Sequence, residues 1–542
     1  MKRRVAVYSG TRNVYPNMLT AMKSLISHTV MDKIYFLIED DDFGMELPPF
    51  VETINVSNQH WFSTKSPNYN SHWSYMVLLK VALPEILANE EQVLFLDIDT
   101  IVEQDVSPLF EMDMDGYYIA GVVEPNKCEQ GLDYVNVGVL MMNLKMFRET
   151  GRYQTMISEL NTYRYHFPEQ DVMNKYLQGH IKTLPSDYNV SVCTEPTRNI
   201  IIRHYAAIRD YPEFTDYRKY EKKSIKSILN KNVLFFSERN LDRAENIKAV
   251  YYAYDGGAKR FVTHRELREI DYLKHSSYGI AVDDDFGRYQ EKPTLHIGHG
   301  IPGGKTYGLD QPNAYLTQAE CNRIKYAIAS SEHLVEHVAR QCGIPKERVL
   351  PLGMPRTDSY RNKRKGDGKT ELRHKRAYLY CPTFRSFNRG VKPDIDLGLL
   401  DSLLNDDEVF AIKMHMVTGK FDMGNYKHII QLDPDVPSAP YLFDCDVLIT
   451  DYSSIVFDGH LLYKPIVLFE KDSEKYLQER GMTLEYPKDY AKNHCRDEKT
   501  LVKMLREAKR NSHDDFIRDT YTSACYDGMS TMRVVNLIEK MP

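Results

Sequence analysis

The chain has 542 residues, 42% apolar and 27% charged, with a formal net charge of -6. That length exceeds what one hydrophobic core organises, so two or three domains are expected, in a composition ordinary for globular proteins. The mildly acidic balance excludes a protein-wide nucleic-acid footprint, and the scattered cysteines contain no CxxC pair to seed a zinc or redox site.

The first residues, MKRRVAVYSG, carry positive charge, but their apolar run is only a strand long. Neither a secretory leader nor a membrane span is expected there, and the chain reads as intracellular. Through residue 212, β-rich runs at 5–9, 33–38, 93–99, 117–123 and 137–143 alternate with helical patterns, which predicts a mainly parallel α/β sheet.

Residues 213–231 are polar and lysine-rich and read as a linker. A second series, 232–365, has strand-like runs VLFF, AVYYAY, TLHIGHG, YAIASS and VLPLG. The charged stretch 361–376 interrupts the pattern. A third series within 366–542 holds AYLYCPTFR, VFAIKMHM, HIIQL, DVLITDYSS and PIVLF. Two Rossmann-like halves facing a cleft fit residues 232–542.

In the first module VLFLDIDT ends an apolar strand with Asp97 and Asp99, hard oxygen ligands suited to Mg²⁺ or Mn²⁺ at the edge where α/β sheets bind ligands. Alone, such a pair is more often a solvated turn than a metal site. Around it, in order, stand YVNVGVLMMN at 134–143, FPEQDVMN at 167–174, LPSDYN at 184–189 and IRHY at 202–205.

With these motifs the module resembles glycosyltransferase family 8. The resemblance implies a GT-A fold, a UDP-hexose donor, retention of configuration, and a metal held by Asp97, Asp99 and His204. It implies that Asn136 and Gln170 line the sugar pocket, Gln170 on the catalytic side, and that Val7, Tyr8 and Tyr15 hold uracil and ribose. Lys80 stands where the family usually has arginine and Glu169 where it has aspartate; Lys80 can meet a diphosphate as a point charge.

The remaining motifs run LHIGHGIPGGK at 295–305, GMPRTD at 353–358, PTFR at 382–385, KMHM at 413–416 and TDYSSIVFDG at 450–459. In this order they resemble the CDP-glycerol glycerophosphotransferases of teichoic acid and capsule synthesis, a GT-B fold. The resemblance makes His299 the general base, and imidazole titrates near cellular pH as that task requires. Arg385, Lys413, His415, Asp451, Ser453, Ser454 and Lys305 are the expected donor-phosphate contacts, with Lys413 and His415 on one strand face. Arg356 reads as mainly architectural, and no metal is expected in this module.

Together the modules predict a bifunctional transferase that uses UDP-hexose and CDP-glycerol or CDP-ribitol to build a cell-surface polymer. The acceptor is expected to be a lipid-linked or other glycan at the cytoplasmic membrane face. The alternative is that one module, preferably the C-terminal one, is catalytic while the other binds acceptor or serves as a scaffold.

Overall fold

The computed structural model describes residues 2–541 apart from 72–73, 129–132, 287–290, 303, 305, 312–315, 386–391, 417 and 483. The chain forms two compact units: Met1–Leu234 with Asp255–Arg260 and Glu266–Gly279, and Phe235–Tyr254 with Phe261–Arg265 and Ile280–Pro542. Among the described residues no helix is long and apolar enough to cross a membrane.

The strands of the first unit are β1 (Val5–Ser9), β2 (Lys33–Ile38), β3 (Val51–Asn55), β4 (Gln92–Leu96), β5 (Thr100–Val102), β6 (Ile119–Val123), β7 (Val135–Asn143), β8 (Ile181–Leu184) and β9 (Ile202–His204). Seven form one sheet in the order β3-β2-β1-β4-β7-β6-β8, and β5 pairs with β9 as a separate ribbon. The first four are parallel, as the alternating pattern predicts. β7 instead runs antiparallel to both β4 and β6. Its nine residues are nearly all buried, and an apolar run carries no sign of its direction. Both sheet faces are covered: Val5, Val7 and Phe95 belong to one core, Ala6, Tyr8 and Leu94 to the other.

The lysine-rich segment read as a linker is helical, over Thr215–Glu221 and Ile225–Leu229. Tyr217 and Tyr220 are buried there, so the lysines face water from helices whose tyrosines anchor them to the unit. This is a packed surface layer, and high polarity on an exposed helix face had the appearance of an unstructured connector.

The next sheet has β10 (Val233–Ser237), β11 (Lys259–Thr263), β12 (Ile280–Asp283), β13 (Thr294–His296), β14 (Ile324–Ile328) and β15 (Val349–Leu350), in the order β11-β10-β12-β13-β14-β15. AVYYAY, read as a strand, is instead the end of the helix Glu245–Ala253 and its cap. Ile247, Val250 and Tyr254 are buried while Tyr252 is exposed; the spacing is helical, and aromatic content alone suggested β.

The last sheet has β16 (Arg376–Cys381), β17 (Glu408–Ile412), β18 (Ile429–Gln431), β19 (Val447–Thr450), β20 (Ile466–Phe469) and β21 (His494–Cys495). Its order β18-β17-β16-β19-β20-β21 is parallel throughout. Strand order reverses between β16 and β19, which opens a crevice beyond their carboxyl ends. The two Rossmann-like sheets make this a GT-B arrangement, and the single mixed sheet of the first unit is of GT-A type. The charged stretch 361–376 turns around Asp444, whose carboxylate accepts from the backbone N–H of Gly366, Gly368 and Thr370. The final helix, Ser530–Lys540, packs back on the helix Glu245–Ala253. There Ser530 and Thr531 donate backbone N–H to Asp358 at 3.0 and 2.7 Å.

Candidate functional site

The N-terminal site is assembled by the short β5–β9 ribbon. β4 ends at Leu96, so Asp97 and Asp99 leave the sheet at its carboxyl edge, and β9 returns beside β5 with Thr100 opposite His204. His204 Nε2 then lies 3.3 Å from Asp99 Oδ1 and 3.9 Å from Asp97 Oδ2. Two carboxylates and an imidazole within 4.8 Å of one another form a donor set suited to a divalent cation. His204 Nδ1 lies 2.9 Å from Asn189 Oδ1; with the proton on Nδ1, the Nε2 lone pair faces the carboxylates. Burial disfavours charge on this ring, but Asp99 outweighs it and raises the pKa. Gly138 leaves the space that the imidazole fills: a Cβ there would sit 2.2 Å from His204 Cε1.

Lys80 enters the same cluster from beneath. It is buried, with Nζ 2.8 Å from Asp97 Oδ1 and 3.6 Å from Glu169 Oε1. Burial alone would lower its pKa, but Asp97 and Glu169 keep it raised. Beside the cluster is a cavity of about 250 Å³ lined by Asn136, Gln170, Glu124, Phe167 and Cys193. Buried Glu124 organises its polar wall, accepting from Asn136 Nδ2 at 2.5 Å and Gln170 Nε2 at 3.3 Å. Neither Glu124 nor Asn189 was singled out from the sequence, although Asn189 closes the LPSDYN motif.

The three residues expected to hold uracil and ribose are largely buried. The side chains of Val7 and Tyr8 are fully buried, one in each core. Tyr15 is 7% exposed, stacks on Phe43 and donates its hydroxyl to Asp40 at 2.8 Å. Helices cover both faces of β1, so the side chains of Val5 to Tyr8 pack inward on either side.

In the second unit, the loop after β13 carries His299 to an exposed position, edge-on to Tyr307 with ring centroids 5.3 Å apart. Its neighbour His296 is different in kind: buried, stacked on Phe286, and accepting the Phe286 backbone N–H at Nδ1. Burial pushes the His296 pKa down to about 4, so this ring is neutral. Gly300 brings the loop close to the start of the helix Ile455–Leu461, where a Cβ would lie 3.4 Å from Ser454 Oγ. His299 and the Ser453–Ser454 turn therefore belong to one cleft.

A cavity of about 180 Å³ in this unit is lined by Lys413, His415, Ser453, Arg239, Arg243 and Glu245, among others. β17 ends at Ile412, so Lys413 and His415 sit just beyond the strand rather than within it, yet both line this cavity. Lys413 is buried and donates to the Pro434 carbonyl at 2.9 Å, and His415 is exposed over Phe384. The arginines were not singled out from the sequence, since they lie in a polar loop without a motif.

Arg385 and Asp451, expected as phosphate contacts, form an ion pair with each other. The Arg385 guanidinium donates to Asp472 at 2.8 and 3.0 Å, to Asp451 Oδ2 at 2.9 Å and to the Thr383 carbonyl at 2.7 Å. It lies against the Tyr452 and Tyr476 rings. Asp451 accepts the backbone N–H groups of Thr383 and Tyr452 and the Thr383 hydroxyl. It thereby bridges the ends of β16 and β19, and four of the five N–H groups of Arg385 are engaged within the protein. Arg356 donates to Asp458 at 2.8 Å and to the Tyr360 hydroxyl at 2.7 Å, an interior tie. Lys305 lies outside the described residues.

Residues 220–540 match the family model described as CDP-Glycerol:Poly(glycerophosphate) glycerophosphotransferase, and residues 6–213 match Glycosyl transferase family 8. The chain is similar to the teichoic acid glycerol-phosphate primase of Bacillus subtilis (strain 168), at 26% identity over 288 residues, covering 50% of this chain and 75% of the relative. It is 24% identical over 360 residues to the teichoic acid poly(ribitol-phosphate) polymerase of Bacillus spizizenii, covering 57% of this chain and 56% of the relative. Among solved structures, the wall teichoic acid polymerase TagF aligns with a TM-score of 0.48 and 20% identity, over 60% of this chain and 92% of that one.

Proposed function

Because the chain belongs to the CDP-Glycerol:Poly(glycerophosphate) glycerophosphotransferase family, we propose that its C-terminal module transfers glycerol phosphate or ribitol phosphate from a CDP-activated donor to an acceptor hydroxyl. His299 takes the proton of that hydroxyl as its oxygen bonds to the β-phosphorus, and the bond to the CMP oxygen breaks, releasing CMP. Lys413, His415, Ser453 and Ser454 hold the diphosphate and offset its growing charge. Arg385 and Asp451 tie that wall together through their ion pair. The observation that carries the reading is the approach of Gly300 to Ser454, which supports one cleft holding both base and anion-binding turn.

The N-terminal module transfers a hexose from a UDP-hexose in this reading. Asp97, Asp99 and His204 would hold Mn²⁺ or Mg²⁺, which neutralises a diphosphate leaving group. Lys80 fixes Asp97 from below, while Asn136 and Gln170, steadied by Glu124, meet the sugar. Joined in one chain, the two activities suit a polymer containing both sugar and phosphodiester units, teichoic acid-like or capsular, on a lipid-linked acceptor at the cytoplasmic membrane face. A second reading, in which only the C-terminal module turns over, draws on Lys80 occupying the metal cluster in place of arginine.

The test is incubation of purified protein with UDP-hexoses and with CDP-glycerol or CDP-ribitol, with and without Mn²⁺, recording UDP and CMP release. Asp97→Ala should abolish UDP release alone and His299→Ala CMP release alone. No CMP from any donor and acceptor pair would refute the C-terminal assignment, and UDP release insensitive to Asp97→Ala the N-terminal one.

A further inference from the structure

The cleft cavity of the second unit has two walls of different origin. Lys413, His415 and Ser453 come from the half built on β16–β21, whereas Arg239, Arg243 and Glu245 come from the loop and helix start after β10. The second wall is tied to the His299 loop itself. Asn246, on the helix that begins at Glu245, donates its side-chain amide to the Gly298 carbonyl at 2.9 Å, and its amide oxygen accepts the Arg356 backbone N–H at 3.0 Å. The arginine wall and the base are therefore held in one frame.

Neither guanidinium is used up internally. Arg239 forms no ion pair with a carboxylate among the described residues, and Arg243 pairs at 3.2 Å only with Asp435, itself 57% exposed. An exchangeable rim pair of this kind contributes little and yields readily to a better anion. Contrast Arg385, four of whose five N–H groups are engaged within the protein. The cavity thus gathers Arg239, Arg243 and Lys413 against Glu245 at its lining. Burial lowers the Lys413 pKa against the opposing pull of Asp433 and Asp435, and Arg243 adds a smaller push in the same direction as burial.

We propose that Arg239 and Arg243 form an anion site on the acceptor side of this cleft and hold the terminal phosphodiester of a growing polyol-phosphate chain. The inference rests on the C-terminal reading above and adds what that site selects. An acceptor hydroxyl must reach His299, and in a polyol-phosphate chain the preceding phosphate lies one polyol unit away, on the half that carries both His299 and the arginines. Two planar forks suit a phosphate oxygen pair better than point charges do. The donor's own diphosphate is served by the opposite wall. The enzyme would accordingly favour acceptors already carrying a polyol phosphate over neutral glycan ends.

The test compares full-length protein with the double variant Arg239→Ala/Arg243→Ala and with Arg239→Lys/Arg243→Lys, folding being checked by thermal melts. CMP release is measured with CDP-glycerol and two acceptors, one ending in glycerol phosphate and one in an uncharged sugar. The alanine variant should lower the kcat/KM preference for the phosphate-terminated acceptor by about tenfold or more, through the KM of that acceptor, with partial recovery by lysine. A rise confined to the KM of CDP-glycerol would assign the arginines to the donor and overturn the proposal. An equal loss with both acceptors, or no change, would also overturn it. Binding of glycerol 3-phosphate without donor, followed by ³¹P NMR, reads the site independently of turnover: it should be present in the unsubstituted protein and lost in the alanine variant. If the unsubstituted protein releases no CMP, the transferase reading fails, and this binding comparison alone decides the anion site.

Discussion

Replacing Gly138 by alanine tests the N-terminal metal cluster without touching any ligand. The added Cβ would stand 2.2 Å from His204 Cε1, 2.8 Å from His204 Nε2 and 2.8 Å from Asp97 Oδ2. Carbon atoms pack at about 3.5 Å or more, so the imidazole must retreat by roughly 1.3 Å. It has little room to do so. His204 is 5% exposed, its Nδ1 is held by Asn189, and its backbone N–H donates to the Val190 carbonyl at 3.0 Å within the β9 ribbon. Overpacking of this kind costs about 1–3 kcal/mol, and shifting a ligand by that distance should weaken cation binding at least as much as losing an outer-shell partner does, roughly 10–100-fold. Titration with Mn²⁺ followed by EPR, with Asp97→Ala as reference, gives the affinity, and UDP release should fall in parallel while CMP release persists. A folded Gly138→Ala protein that binds Mn²⁺ as tightly as the parent would refute the assignment of Asp97, Asp99 and His204 to one ion.

Chelation of divalent cations should stop UDP release and leave CMP release intact; loss of both would place a metal requirement in the second unit as well. Asp451→Asn should cost about 3 kcal/mol, read as a lower urea midpoint, because it breaks a buried pair with Arg385 while the remaining groups stay buried. An unchanged midpoint with lost CMP release would return Asp451 to direct ligand contact. His296 makes the second unit acid-sensitive: burial holds its folded pKa near 4, below its ordinary 6.5. The neutral ring is the folded form, so this stabilisation is complete above pH 6.5 and is lost as pH falls through 4, about 3 kcal/mol in all. Denaturant unfolding at pH 7 and pH 4.5 checks the direction, and stability that did not fall would refute it.

What the sequence by itself determined is the chemistry available at strand ends. Buried parallel strands announce themselves as apolar runs, and residues just past their carboxyl ends face the ligand edge, so Asp97, Asp99, His299 and the Ser453–Ser454 turn were legible. His204 was legible only through motif order, since an antiparallel ribbon brings it to Asp99 from a hundred residues away. Tertiary structure decided the rest, because partner choice is a matter of distance. Arg385 is phosphate-like in its surroundings by motif, yet two carboxylates from different loops engage most of its donors. Tyr8 sits at a ligand-edge strand, yet helices bury both faces of β1. Glu124, Asn189, Arg239 and Arg243 have no motif and acquire meaning only where the fold sets them around a cavity or a histidine. A residue type limits which bonds it can make, and packing alone determines which of them are left for a substrate.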